Sequence, residues 1–116
     1  MNTPIDHPKI PNPKVGILII NLGTPEATDY FSMRKYLNQF LSDKRVIELP
    51  SILWQPILKT FILTFRPNKS GELYKKIWNK KLNESPLKTN TRMQAKKIDK
   101  LINNKKNYVV DWAMRY

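Results

Sequence analysis

The chain contains no cysteine, which excludes both a disulfide framework and a thiolate metal site. It has one histidine, His7, set in a lead from Met1 to Pro13 that holds four prolines. A tail residue is the plainer reading of His7 than a metal ligand, and no other histidine exists to serve a serine nucleophile as base. Acidic residues are few, nine against twenty-one basic ones. They are scattered, and none forms an acidic i,i+3 or i,i+4 pair in a predicted cleft. No metal-ligand cluster and no paired general acid and base are visible. Glycine is scarce too. Of Gly16 and Gly23, only Gly23 lies in the turn after the first strand, so the three-glycine dinucleotide fingerprint is absent. Nor does a Lys-Ser/Thr pair follow a glycine-rich loop. No apolar run reaches the roughly 20 residues of a spanning helix. The lead lacks the apolar segment of a signal peptide and reads as a flexible approach to residues 14–116.

What is present is a net charge of +12 made by sixteen lysines and five arginines, in company with eleven asparagines. Phosphate recognition favours arginine forks, and this mix reads as a solvated face before it reads as a binding surface. Attraction to an anionic membrane surface comes second, and nucleic acid a distant third. Apolar residues make up 41% of the chain, enough for a real core.

The stretch 14–26 carries the most information. Val15–Ile20 is short, rich in β-branched residues and unalternating, as a strand buried on both faces of a parallel sheet would be. It breaks into Asn21-Leu22-Gly23-Thr24-Pro25. Ligands of open α/β sheets bind beyond the carboxyl ends of strands, so this loop is the first place to expect function. Thr28 or Asp29 then caps a helix to about Leu41, with Met33, Tyr36, Leu37, Phe40 and Leu41 inward. Ser42–Arg45 is a polar break and Val46–Pro50 a short extended piece. Ser51 is expected to cap a second helix to about Phe65. Its stripe of Trp54, Ile57, Leu58, Phe61, Ile62 and Phe65 reads equally as core or as an apolar lip, flanked by Lys44, Arg45, Arg66 and Lys69. Pro56 predicts a kink.

Arg66–Lys69 ends that element. A third helix follows from about Ser70 to Asn79, with Glu72 and Lys76 paired. Lys80–Glu84 is a loop closing on Ser85-Pro86. A fourth helix, about Leu87 to Asn103, buries Ala95, Ile98, Leu101 and Ile102. Residues 103–107 are a turn, and Tyr108–Met114 is a second strand-like run. Two strands with helices between them suit a parallel crossover. They are too few for a complete doubly wound sheet. The fold expected is α/β, the first part of a larger parallel sheet, with a small complete domain built on an unusual sheet as the alternative.

Five ordered stretches, KVGILIINLGTPE, YLNQFLSDKRVIELP, RPNKSGELYKKIW, ESPL and the final MRY, make Lys14–Tyr116 resemble the ferrochelatases. Those enzymes insert ferrous iron into protoporphyrin IX to form protoheme. The resemblance implies two similar doubly wound domains around a porphyrin cleft, with this chain as an incomplete first domain at residues 14–116. It implies that Asn21, Leu22, Gly23 and Thr24 form the first pocket loop, with Leu22 against the macrocycle. Arg66 and Ser85 match positions near the porphyrin propionates, although Asn83-Glu84 stand where many members have glycines. Arg115 and Tyr116 match a pair lining the inner pocket. The helix 51–65 matches an apolar lip able to touch a membrane. The histidine and glutamate that handle protons and iron in the family lie later in its chains and have no counterpart here. The implied partners are a porphyrin, ferrous iron as substrate and the remainder of the enzyme, at a cytoplasmic site or at the membrane periphery. Ordinary capping and helix-flanking duty is the plain alternative for Arg66, Lys69 and Ser85. A non-catalytic basic module for an apolar or anionic ligand, or for a membrane surface, is the alternative for the whole chain.

Overall fold

The computed structural model describes residues 4–9, 12–102 and 107–116. Two strands, β1 (Val15–Asn21) and β2 (Tyr108–Met114), pair in parallel with Val15 opposite Tyr108 and Asn21 opposite Met114. Between them run α1 (Tyr30–Ser42), α2 (Ser51–Ile57), a π-helical turn (Leu58–Ile62), α3 (Leu63–Ile77) and α4 (Pro86–Ile102). The fold is mixed α/β, built on a two-stranded sheet.

The first strand is not buried on both faces. Ile17, Ile19 and Asn21 are half-buried on the side that α4 covers, whereas Leu18 and Ile20 are 56% and 65% exposed. The unalternating apolar run therefore has only one of its faces covered among the described residues. Asp29 is the cap of α1, its Oδ1 accepting from the Phe31 and Ser32 amides at 3.0 and 3.1 Å. The inward stripe holds as expected. Met33, Tyr36, Leu37 and Leu41 are buried and Phe40 packs on them.

The polar break is a turn in which the Val46 and Ile47 amides bond the Asp43 carbonyl, and no strand forms at 46–50. Pro50, rather than Ser51, occupies the cap of α2. Its carbonyl accepts from the Leu53 and Trp54 amides, and no side chain caps the helix. The helix does not stop at Arg66–Lys69. It continues to Ile77 with Pro67 buried inside it. Proline has no N–H to offer the Leu63 carbonyl four residues back. That carbonyl instead accepts from Arg34 Nη1 at 2.5 Å and from the Tyr30 hydroxyl at 3.1 Å. A tertiary contact thus fills the bond that the proline removes, which is why the local breaker does not break.

The π turn also re-phases the apolar stripe. The Leu63 amide reaches back five residues to the Leu58 carbonyl, so Leu58 and Leu63 face the core together. Ile57, Phe61 and Phe65, expected on that same face, are 49%, 68% and 70% exposed. Core and lip are consequently two faces of one helix. The core itself is Met33, Tyr36, Leu37, Leu41, Leu58 and Leu63, with Trp54, Ile62, Tyr74 and Tyr116 at its margin. Each large side chain buried there contributes about 1.5–3 kcal/mol. Trp54 also donates its indole N–H to the Leu41 carbonyl at 2.7 Å, closing the end of α1. Gly71 brings α3 against the loop before α1, where a Cβ would stand 2.5 Å from the Thr28 carbonyl oxygen.

Glu72 pairs with Lys75 at 2.7 Å, one residue short of the Lys76 expected. The loop after α3 is closed by a bridge between Asn79 and Glu84. Asn83 takes a φ of 50° there, a left-handed conformation that asparagine tolerates better than most side chains. In α4, Thr91 and Ala95 are buried, while Leu101 is 81% exposed rather than inward. The turn expected at 103–107 lies outside the described residues except for Asn107.

Candidate functional site

The carboxyl ends of the two strands meet. The Arg115 amide donates to the Asn21 carbonyl at 3.0 Å and the Tyr116 amide to the Leu22 carbonyl at 3.2 Å, extending the ladder into the loop. Gly23, at φ 121°, lies directly beneath the backbone of Tyr116, and a Cβ there would stand 2.4 Å from its carbonyl oxygen. Only glycine fits so close an approach at that φ. Of the eight candidate residues, Asn21, Leu22, Gly23, Thr24, Arg115 and Tyr116 are thereby gathered into one place.

Their side chains do different things. Asn21 turns toward α4. Its Nδ2 donates to Thr91 Oγ1 at 3.1 Å and its Oδ1 accepts from the Leu22 amide at 2.8 Å. Thr91 is fully buried and donates its own hydroxyl hydrogen bond to the Leu87 carbonyl at 2.8 Å. Asn21 therefore fastens the loop, with both polar atoms engaged inside the chain. Leu22 projects outward, 47% exposed. Thr24 is buried, and its Oγ1 has no hydrogen-bond partner among the described residues. It borders a cavity of about 230 Å³ whose other walls include Glu26, Lys35, Tyr36, Arg115 and Tyr116.

The Arg115 and Tyr116 side chains converge on Asp43, which lies in the polar break that follows α1. Both Arg115 Nη2 and the Tyr116 hydroxyl donate to Asp43 Oδ2. The Tyr116 hydrogen bond, foremost, holds the Asp43 carboxyl below the ordinary carboxylate range. Donating that bond to a carboxylate pushes the Tyr116 phenol above its ordinary value. The Arg115 guanidinium lies 5.4 Å from the Tyr116 ring centroid, and Phe40 meets that ring edge-on at 5.5 Å. Nearby, burial pushes the Tyr36 phenol up strongly. One signal of Asp43 was available in the sequence: an acid at the carboxyl end of a helix opposes the helix dipole.

Arg66 and Ser85 do not join this group. Arg66 is exposed on α3, where it borders an open apolar depression with Phe61, Phe65, Lys69 and Leu73. Ser85 is 1% exposed, and its Oγ accepts from the Lys88 amide at the start of α4. Beside it, Glu84 is buried and receives Arg92 through both guanidinium nitrogens and the Thr89 hydroxyl at 2.8 Å. Arg92, foremost, depresses the Glu84 carboxyl. Glu84 thus has an internal partner set that accounts for an acid before Ser85-Pro86. Among the described residues, no three His, Cys, Asp or Glu side chains come together as a metal site. His7 lies exposed in the lead, its ring bonded to the neighbouring Pro8 carbonyl.

The family model for ferrochelatase matches residues 14–116, nearly the whole chain. The chain belongs to the ferrochelatase family. It is 56% identical over 113 residues to the ferrochelatase of Chelativorans sp., an overlap covering 97% of this chain and 32% of that protein. With the ferrochelatase of Rhodobacter capsulatus it shares 52% identity over 118 residues, covering 99% of this chain and 34% of the relative. With that of Brucella ovis it shares 54% over 114 residues, 98% of this chain and 32% of the relative. The chain spans about a third of the length of the curated relatives it matches. No solved structure matches it. No helix among the described residues is long and apolar enough to cross a membrane.

Proposed function

We propose that this ferrochelatase-family chain forms one wall of a pocket in which ferrous iron is inserted into protoporphyrin IX, or a closely related porphyrin, to give protoheme. The observation that carries the reading is the junction of the first loop with Arg115-Tyr116 at the carboxyl ends of β1 and β2. This is where α/β folds bind ligands. Leu22 offers an exposed apolar side chain, and the Tyr116 ring a flat, fixed surface, to a flat apolar macrocycle. The sheet belongs to a larger doubly wound domain, with residues 14–116 as its first part and a second domain closing the cleft. Arg66 suits a propionate, since it is exposed beside Phe61 and Phe65 and a guanidinium matches a carboxylate. Ser85, turned inward at the start of α4, supports that region through its backbone and cap rather than by direct contact.

The exposed Ile52, Leu53, Phe61 and Phe65 form a lip that rests at the membrane periphery from the cytoplasmic side, where an apolar porphyrin would partition. Insertion removes two pyrrole protons and needs a base and an iron ligand beside the ring. In this reading those groups come from the rest of the enzyme, and this chain binds and shapes the porphyrin. The test is a titration of protoporphyrin IX absorbance with the purified chain, followed by addition of ferrous iron or zinc. Saturable binding without metal insertion is expected. Failure to bind porphyrin, or insertion by these residues alone, would overturn the reading.

A further inference from the structure

Asp43 sits at the C-cap of α1, 73 residues before Tyr116 in the chain, yet it is the meeting point of the Arg115 and Tyr116 side chains. Its two oxygens have separate duties. Oδ1 accepts from the Arg45 amide at 2.8 Å and shapes the local turn. Asparagine would serve that turn equally well. Oδ2 makes no local bond and is taken by Arg115 Nη2 and the Tyr116 hydroxyl together. The requirement for an acid, placed against the unfavourable end of a helix dipole, therefore comes from the two residues that follow β2 and not from the turn.

We propose that Asp43 is a positioning residue for the pocket wall: its Oδ2 holds Arg115 and Tyr116 in a single arrangement against the first loop. What the wall touches rests on the porphyrin reading given above; the clamp itself does not. Three constraints fix the Tyr116 ring. Its hydroxyl is tied to Asp43, Phe40 abuts it edge-on, and Arg115 lies over its face. Arg115 has its charge met by Asp43, whose side chain is only 16% exposed. The wall then presents an aromatic surface with a neutralised cation, and the task of meeting ligand carboxylates falls to cations elsewhere. Without the carboxylate, Arg115 becomes a free charge beside the macrocycle and the Tyr116 ring loses its tether.

The test uses the ionisation of Tyr116, followed by NMR with 13C-labelled tyrosine and assigned with Tyr116→Phe. Far-UV circular dichroism establishes that each protein stays folded over the range measured. The other ionisable groups around the phenol are Arg115 on its own segment, Lys35 and Tyr36 on α1, and Glu26 in the first loop. All of these are unchanged in Asp43→Asn. In the native protein Tyr116 is expected to ionise above the ordinary tyrosine value of about 10, and in Asp43→Asn to return toward it. Asp43→Glu should restore part of the shift. Protoporphyrin affinity should fall about 2- to 150-fold in Asp43→Asn, the span that coupling within one hydrogen-bonded network covers. An ordinary Tyr116 titration in the native protein overturns the clamp, as does an unaltered titration in Asp43→Asn. If the native chain binds no porphyrin while the Tyr116 titration shifts as stated, the clamp stands and the porphyrin reading falls.

Discussion

Replacing Gly23 by alanine tests the close approach on which the site depends. Two costs add. The backbone at φ 121° lies where side chains are rarely tolerated, a penalty of about 1–3 kcal/mol. The new methyl would also lie 2.4 Å from the Tyr116 carbonyl oxygen and 2.7 Å from its amide nitrogen. Both are backbone atoms, so no side chain can swing aside. The loop and the end of β2 must separate, stretching the 3.2 Å bond between the Tyr116 amide and the Leu22 carbonyl, worth about 1 kcal/mol. A total near 2–4 kcal/mol follows. With an unfolding entropy of about 2.1 cal/mol/K per residue, the melting temperature should fall by roughly 8–16 °C. Gly16→Ala is the matched control, because nothing lies within 4 Å of a Cβ there and the backbone is unstrained. It should melt within about 2 °C of the parent, a change of roughly half a kcal/mol. Thermal unfolding followed by circular dichroism reads both. Equal melting temperatures for the two alanine variants would refute the close approach.

Met33 is fully buried in the core, and Met33→Ala should cost about 2–5 kcal/mol by urea denaturation. Arg34→Met leaves the Leu63 carbonyl, already deprived of an amide by Pro67, with the Tyr30 hydroxyl alone. A loss of about 1–3 kcal/mol by the same assay is expected, against little change in a double variant with Pro67→Ala if the restored amide takes the bond. Asp29, Asp43 and Glu84 all have carboxyl groups depressed on folding, chiefly by the Ser32, Tyr116 and Arg92 contacts respectively. Their stabilisation is complete above the unfolded values of 3.8 and 4.5 and is lost as pH falls through the lower folded values. The melting temperature should hold from pH 7 to about 5 and decline below that, a decline that Asp29→Asn should soften. Phe61 is 68% exposed, so Phe61→Asp should abolish flotation with anionic liposomes while leaving the melting temperature within a few degrees, as exposed substitutions do.

Most of the element order was legible because α1, α4 and both strands carry their signals locally. Asp29 stands before a helix-spaced stripe, Ser85-Pro86 opens α4, and two apolar runs stand between polar breaks. The single helix from Ser51 to Ile77 was not legible as one, for two physical reasons. Pro67 is a breaker by any local rule, and only Arg34 and Tyr30, more than 28 residues away, supply the donors that make it tolerable. The π turn inserts a residue into the period, so a stripe counted at 3.6 residues per turn puts Phe61 and Phe65 on one face with Leu58 and misses Leu63. The buried reading of Val15–Ile20 described the run correctly but not its cover, which a sheet of two strands and one helix provides on one side only. In the site, the loop and the Arg115-Tyr116 pair could be placed from the positions of strand ends. Asp43 could not, because its role depends on α1 ending beside β2, a tertiary fact with only a faint trace in the helix dipole.

The central claim is that the junction of Leu22 with Arg115-Tyr116 is a porphyrin-binding wall. The most direct measurement is the quenching of protein tryptophan fluorescence by protoporphyrin IX, comparing the native chain with Leu22→Asp. Leu22 is 47% exposed and outside the core, so the variant should fold normally. Saturable quenching by the native chain, weakened at least about tenfold in Leu22→Asp as an apolar contact is replaced by a charge, is the predicted result. Quenching that is identical in the two proteins, or that never saturates in the native one, would contradict it.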